Sequence, residues 1–445
     1  MTNHTSIELK RIFEQQKHYQ WQIKDTTASQ RTQKLLKLKV SILANIDGVR
    51  EALASDMRKS VAEIEAEIGA VLGHIDDAVA NLGDWMRPVE IASSSALAGT
   101  RAYMAYEPKG ICLLFGAWNF PFLLLFQPLV PAIAAGNCVI AKPNEMAPGT
   151  SRISAKIIRD IFDEQEVAVF EGGVDLADAL LELPFDHVFF TGSPRVGRTV
   201  MAAAAKHLAS VTLELGGKCP AVVDQASDIA LAAANIAVGR CFNAGQVCLC
   251  PEIAWVREEW IDDFISQFQA VVEGTYYVDG VLNKSVFARI VDERNFNRVK
   301  GYLDDAVDRG AKVRFGGNTE AADLTIHPTV LSDVPADAVI MREEVFGPIL
   351  TVMPYRNPAE IAAFVRQSGK PLAVYVFSKD QAFVDQILLT TSSGGVSINS
   401  WAGHWFEQRL PFGGVNQSGI GRYHGVHGFK EMSHERAVFS VPATA

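Results

Sequence analysis

Apolar residues recur at spacings of three and four through residues 6–82. LLKLKVSILANIDGVREALASDM and SVAEIEAEIGAVLGHIDDAVANL carry this period most plainly, and it predicts amphipathic helices packed on a sheet. The stretch 92–110, ASSSALAGTRAYMAYEPKG, is small, polar and alternating, which predicts a hairpin. From residue 111 short apolar runs alternate with helical ones. ICLLF, CVIAK, VAVFEGG, HVFFTGS and VTLELGG read as strands, and FPFLLLFQPLVPAIAAG as a helix begun near Pro121 and closed by Gly136. A second series starts near residue 221 with PAVVD and a helix over 227–241. It continues through EIAWV, helices to residue 308, KVRFG, GPILTVMPY, LAVYVFS and GGVSINS.

Strands alternating with helices predict an α/β class with two doubly wound open-sheet domains. The break between them is expected near Gly216–Pro220, giving residues 1–91 with 109–217 as one domain and 218–410 as the other. Residues 92–108 and the glycine-rich tail 411–445, with MSHERAVFSV as an edge strand, form a small β arm. Such an arm buries little by itself, which predicts a homodimer.

Composition narrows the function. The formal net charge is −10, from 41 basic and 51 acidic residues among 445, which disfavours nucleic acid as a partner. MTNHTSIELKRIFEQQKHYQ lacks the apolar core of a secretory signal, so the expected location is the cytoplasm. The run 111–141 is long enough to span a bilayer, but it carries Asn119, Gln127 and three prolines, so no membrane span is expected. The six cysteines (112, 138, 219, 241, 248 and 250) suit reduced thiols, and the absence of histidine between His207 and His327 argues against a metal site.

Several segments could carry chemistry, each beside a plainer reading. FNAGQVCLCPE sets Cys248 in a small polar loop, where a thiol nucleophile needs access and a neighbouring base or dipole. Cys250 precedes a proline and a strand, which suits packing better. LELGGK places Glu214 at a strand end, as a base in a partly dry cleft or as a salt-bridged strand residue. GAWNFP places Asn119 where a helix begins, as an oxyanion donor or a helix cap. VIAKPNE puts Lys142 and Glu145 beyond a strand, as ribose ligands or solvated charges. FFTGSPRVGR, with Gly192 and Gly197, is an anion-binding helix start or an ordinary turn.

Taken together, AWNFP, KPNE, FTGSPRVG, LELGGK, NAGQVC, EEVFGP and PFGGVNQSGIG stand in the order found in the aldehyde dehydrogenase superfamily, over about Pro108–Gly425. The compact length resembles the short, class 3-like branch with fatty aldehyde and coniferyl aldehyde dehydrogenases. The resemblance implies a Rossmann-like domain for NAD or NADP, a catalytic domain and an oligomerisation arm. It implies Cys248 as nucleophile, Glu214 as general base and Asn119 as oxyanion donor. It implies Lys142 and Glu145 at the adenosine ribose, Gly192, Ser193 and Val196 beside the pyrophosphate, and Glu344 and Phe346 at the nicotinamide ribose. The expected activity is NAD(P)-dependent oxidation of an aldehyde to its acid through a cysteine thiohemiacetal and thioester.

Trp118, Phe122, Trp401, Trp405, Phe406 and Phe412 fall in or near segments that line the family's substrate tunnel, which implies an apolar aliphatic or aromatic aldehyde, or else core packing. His404 meets a polar substrate tail or lies on the surface. Glu145 favours NAD by repelling a 2′-phosphate. Val247 stands where the family usually has threonine, Cys250 adds a second thiol, and Asn416 departs from the commoner tail pattern. One rival is a dehydrogenase passing its thioester to coenzyme A, against which Glu214 argues. The other is a structural or thiol-sensing protein on the same fold, against which the set Cys248, Glu214 and Asn119 argues.

Overall fold

The computed structural model describes residues 3–441. Successive residues of the strand Ile111–Phe115 face opposite sides, as the pleat requires. Ile111, Leu113 and Phe115 pack in a core with Leu9, Ile12 and Phe13 of the helix Asn3–Lys24. Cys112 and Leu114 pack in another with the helices Ala28–Ala44, Val61–Trp85 and Leu123–Ala135. A strand covered on both faces has no polar side, hence the unbroken apolar run ICLLF.

This strand is central in a six-stranded sheet ordered Gly419–Ile420, Ser210–Glu214, His187–Thr191, Ile111–Phe115, Cys138–Lys142 and Val167–Val169. All neighbours are parallel except the first pair. The chain leaves the centre in one direction and returns on the other side, so strand order reverses between Ile111–Phe115 and His187–Thr191. Such a switch opens a crevice at the carboxyl ends of the strands.

A seven-stranded sheet follows, ordered Lys312–Phe315, Thr329–Ser332, Ile349–Tyr355, Ile253–Arg257, Pro220–Val223, Ala373–Phe377 and Gly395–Ile398. Only its first pair is antiparallel. Between the two sheets the chain passes from Glu214 to Pro220. A third, antiparallel sheet joins Val89–Ile91, Arg101–Pro108 and Ser433–Ser440.

Four details differ from the sequence reading. The tail 411–445, expected wholly in the arm, first adds Gly419–Ile420 to the six-stranded sheet beside Leu213–Glu214, and only Ser433–Ser440 joins the arm. The hairpin expected over 92–110 starts earlier, because Val89–Ile91 pairs with Ala102–Met104 across a loop that contains a short 3-10 turn. The stretch read as helical to residue 308 contains a small hairpin, Tyr277–Val278 with Val281–Leu282. Thr329–Ser332 is an inner strand that four residues were too few to reveal by periodicity.

Two long-range contacts terminate the helix Leu123–Ala135. At its start, Glu67 Oε1 accepts the Phe122 and Leu123 amides at 2.9 and 3.1 Å. At its end, Arg31 Nη1 donates to the Ala134 and Ala135 carbonyls at 3.1 and 2.6 Å, while Gly136 turns left-handed at φ 86°. Residues 111–141 are thus a buried strand, helix and strand, and among the described residues no helix is long and apolar enough to cross a membrane.

Candidate active site

The Cys248 loop begins where the helix Ile229–Cys241 stops. Asn243 and Ala244 both take φ 51° and ψ 36°, and Gly245 follows at φ 73°. Left-handed backbone costs a non-glycine residue about 1–2 kcal/mol, so neighbours must hold the loop. Glu63 Oε1 accepts the Asn243 amide at 2.6 Å. Asn243 Nδ2 donates to the Asn119 carbonyl at 2.9 Å. The Gln246 side chain donates to the Asn243 and Arg289 carbonyls and accepts the Val291 amide.

Cys248 lies in the turn that follows. It is the one cysteine of six that is not buried. Its own amide and that of Leu249 point at the sulfur and favour the thiolate, but loss of water and the nearby Glu344 and Glu214 carboxylates outweigh them and push the thiol up to about 12. Cys219 Sγ donates to the Cys248 carbonyl at 3.5 Å, and Tyr375 Oη and Trp401 Nε1 donate to the Leu249 carbonyl at 2.6 and 3.2 Å. Cys250 points elsewhere: its buried sulfur donates to the Gly239 carbonyl at 3.1 Å.

Asn119 follows the strand Ile111–Phe115, and its side-chain Nδ2 donates to the Gln246 carbonyl at 3.0 Å. It caps no helix, because Glu67 takes that role. Glu214 ends its strand almost fully buried, and neither carboxyl oxygen has a hydrogen-bond partner. Burial raises its pKa well above the usual carboxylate range, reinforced by Glu431 and opposed by Arg422. Gly413 lets the tail approach closely, since a Cβ there would lie 3.0 Å from Glu214 Oε1. Glu344 rests over Gly216, where a Cβ would collide with both carboxylate oxygens. Burial and the Glu252 charge raise Glu344 to about 8, against the Gly217 amide, Lys218 and Arg298.

The crevice of the six-stranded sheet carries the remaining candidates. Lys142 Nζ meets Glu145 Oε2 at 2.8 Å, just beyond the strand Cys138–Lys142. Gly192 and Ser193 follow the strand His187–Thr191, and the Ser193 hydroxyl accepts the Val196 amide at 3.4 Å, capping the helix Pro194–Ala205. Gly197 lets that helix close on the sheet, since a Cβ would lie 2.9 Å from Leu215 Cδ2. Trp118 and Phe346 touch edge to face at 5.3 Å.

A sequence model described as the aldehyde dehydrogenase family matches residues 1–438. The chain belongs to the aldehyde dehydrogenase family. It is 47% identical over 441 residues to AldX of Bacillus subtilis, covering 99% of each chain. It is 38% identical over 408 residues to 4,4'-diaponeurosporen-aldehyde dehydrogenase of Staphylococcus aureus, covering 92% of this chain and 88% of that protein. A substrate-bound structure of Staphylococcus aureus AldH superposes with a TM-score of 0.94 at 36% identity, covering 98% of this chain and 94% of that one.

Within this aldehyde dehydrogenase the expected tunnel residues divide. Trp118 and Trp405 are half-buried, and Trp405 abuts the exposed Phe406 at 5.1 Å. Trp401 bridges Phe242 and Phe406 at 5.7 and 6.4 Å. Phe122, in contrast, belongs to the core: it is fully buried, with its ring 4.6 Å from Phe126. Phe412 is also buried, stacked on His424 at 5.0 Å. His404 is no surface group, since it is buried with Nδ1 2.7 Å from the Ser397 hydroxyl.

Sequence reasoning missed the buried charges, among them the Lys59–Glu67 pair and a cluster near the thiol. Lys218, Arg240 and Glu252 form a buried ion cluster beneath the Cys248 loop. The available signal was a lone arginine and a lone glutamate on either side of the uncharged CFNAGQVCLCP, with the lysine closing LELGGK. Charges so placed stay buried only when paired.

Proposed function

We propose that this aldehyde dehydrogenase oxidises an apolar aldehyde, aliphatic or aromatic, to its carboxylic acid, with Cys248 as nucleophile. The observation that carries the reading is a half-buried thiol within electrostatic reach of the unpartnered, buried Glu214 carboxyl, on a loop that the Asn119 side-chain amide also binds. Cys248 Sγ bonds to the carbonyl carbon as its proton passes to water and out to solvent. The Asn119 amide and the Cys248 N–H receive the negative oxygen of the thiohemiacetal. NAD or NADP, when bound, supplies the hydride acceptor that leaves a thioester on the sulfur. Glu214 then takes a proton from water, whose oxygen attacks the thioester carbon, releasing the acid and the thiol. A carboxyl with raised pKa is the better base near neutrality.

The crevice residues fit a dinucleotide. Lys142 and Glu145 would hold the adenosine ribose, Gly192, Ser193 and Val196 would bound the pyrophosphate, and Glu344 with Phe346 would face the second ribose. Gly216 lets the Glu344 carboxylate lie directly on the backbone between the two sheets, where a Cβ would collide with both of its oxygens, which supports that assignment. Glu145 repels a 2′-phosphate and favours NAD. Residues 1–91 with 109–217 serve as the cofactor domain and 218–410 as the catalytic domain. The aromatic set Trp118, Trp401, Trp405 and Phe406 supports the apolar substrate.

We further propose a homodimer joined through the antiparallel arm, whose Val89, Ile91 and Phe439 are exposed. The six unpaired thiols support a reducing, cytoplasmic setting. The test is to follow nicotinamide reduction with NAD and with NADP over aliphatic and aromatic aldehydes of graded length. Preference for apolar aldehydes is expected; no reduction with any of them would overturn the reading.

A further inference from the structure

The buried Lys218–Glu252–Arg240 cluster links three segments that separately carry Glu214, Cys248 and Glu344. Glu252 Oε2 accepts Lys218 Nζ at 2.9 Å and the Val345 amide at 2.8 Å, while Oε1 accepts Arg240 Nη1 at 3.0 Å. Lys218 Nζ also donates to the Ile340 and Glu343 carbonyls at 2.7 and 2.9 Å. Arg240 Nη1 donates to the Pro251 carbonyl at 3.0 Å, and Nη2 to the Gly245 and Gly347 carbonyls. One guanidinium thus grips both the cysteine loop and the 343–347 turn, and one carboxylate joins that guanidinium to the turn after Glu214.

All three side chains are at most 4% exposed. A desolvated cluster of this kind is weak evidence for stability, because apolar packing serves as well, but it fixes geometry through directional bonds. Burial pushes the Glu252 carboxyl up, yet Lys218 and Arg240 outweigh it and hold the group down at about 2. Glu252 therefore stays charged across the working range.

We propose that Glu252 is a positioning residue that, through Arg240 and Lys218, holds the turn carrying Glu344 in fixed register with the loop carrying Cys248. Cofactor ribose and thiol are then set by one clamp, and loosening it moves both together. The inference rests on the roles proposed above for Cys248 and Glu344.

The experiment uses the full chain carrying Glu252→Gln, Glu252→Asp or Arg240→Lys. Arg240→Lys keeps the charge and loses the fork, so it decides the matter if Glu252→Gln does not fold. Three quantities are read: cofactor Kd by fluorescence titration, the rate of iodoacetamide labelling at Cys248 by peptide mass spectrometry, and unfolding temperature. In Glu252→Gln and Arg240→Lys, Kd weakens about tenfold and labelling changes about threefold or more, the scale expected when a supporting shell slips by a fraction of an ångström. Glu252→Asp falls between these and the wild type. Unchanged Kd and labelling with only a lower unfolding temperature would overturn the proposal, as would a change in one without the other. Neither readout needs turnover, so a protein inactive on every aldehyde would sink the proposed function and leave this result readable.

Discussion

The side-chain amide of Asn119 donates to the main-chain oxygen of Gln246 at 3.0 Å, two residues before Cys248. The donor proposed for the oxyanion is thereby tied to the loop that carries the nucleophile. Asn119→Ala should lower kcat about 10²–10³-fold, the usual loss for one oxyanion donor, with less change in KM. Steady-state kinetics on the purified variant checks this, and an unaltered kcat would remove Asn119 from the site.

Glu214 should make the fold less stable as pH rises. Its folded pKa lies well above the unfolded value of 4.5, so the folded protein binds the extra proton. Stability is then fullest below that unfolded value and falls as pH climbs through the folded one. Glu344, raised to about 8, acts with the same sign. Glu214→Gln should flatten the decline in unfolding temperature as pH rises above 4.5 while abolishing acid release, a trade between stability and activity. Thermal scans of wild type and variant from pH 4.5 upward test it.

The opposite sign holds at acid pH. The Gln127 amide nitrogen lies 2.6 Å from His74 Nε2 and 2.7 Å from His424 Nε2, and Tyr423 Oη donates to the Gln127 oxygen. Donating to both rings requires both to be neutral at Nε2. Burial lowers His74 from 6.5 to about 4 and lowers His424 as well, so stability is present above 6.5 and lost as pH falls through that window towards 4. His74→Gln should flatten part of this decline. An equally steep decline in the variant would place the titration elsewhere.

The sheets were legible because parallel strands covered on both faces read as unbroken apolar runs, as ICLLF and CVIAK do. Thr329–Ser332 was hidden by its brevity. Asn119, Glu214 and Cys248 stood out in the sequence only as a set, since each alone admits an ordinary role, and the roles given to them are proposals. The helix-cap reading of Asn119 failed because Glu67, a residue of a distant helix, takes the amides of Phe122 and Leu123, and no local pattern announces that. Phe122 misled because its motif borders the site while its ring turns into the core beside Phe126. The Lys218–Glu252–Arg240 cluster was missed because its pairing is made wholly by tertiary contacts.

The proposed reaction passes through a thioester at Cys248 that Glu214 resolves. The most direct measurement is intact-protein and peptide mass spectrometry of Glu214→Gln after incubation with cofactor and an apolar aldehyde. The predicted result is an acyl group accumulating on the Cys248 peptide, absent without cofactor and absent in Cys248→Ala. An acyl group on another residue, or a Glu214→Gln enzyme that releases acid at the wild-type rate with no adduct, would contradict it.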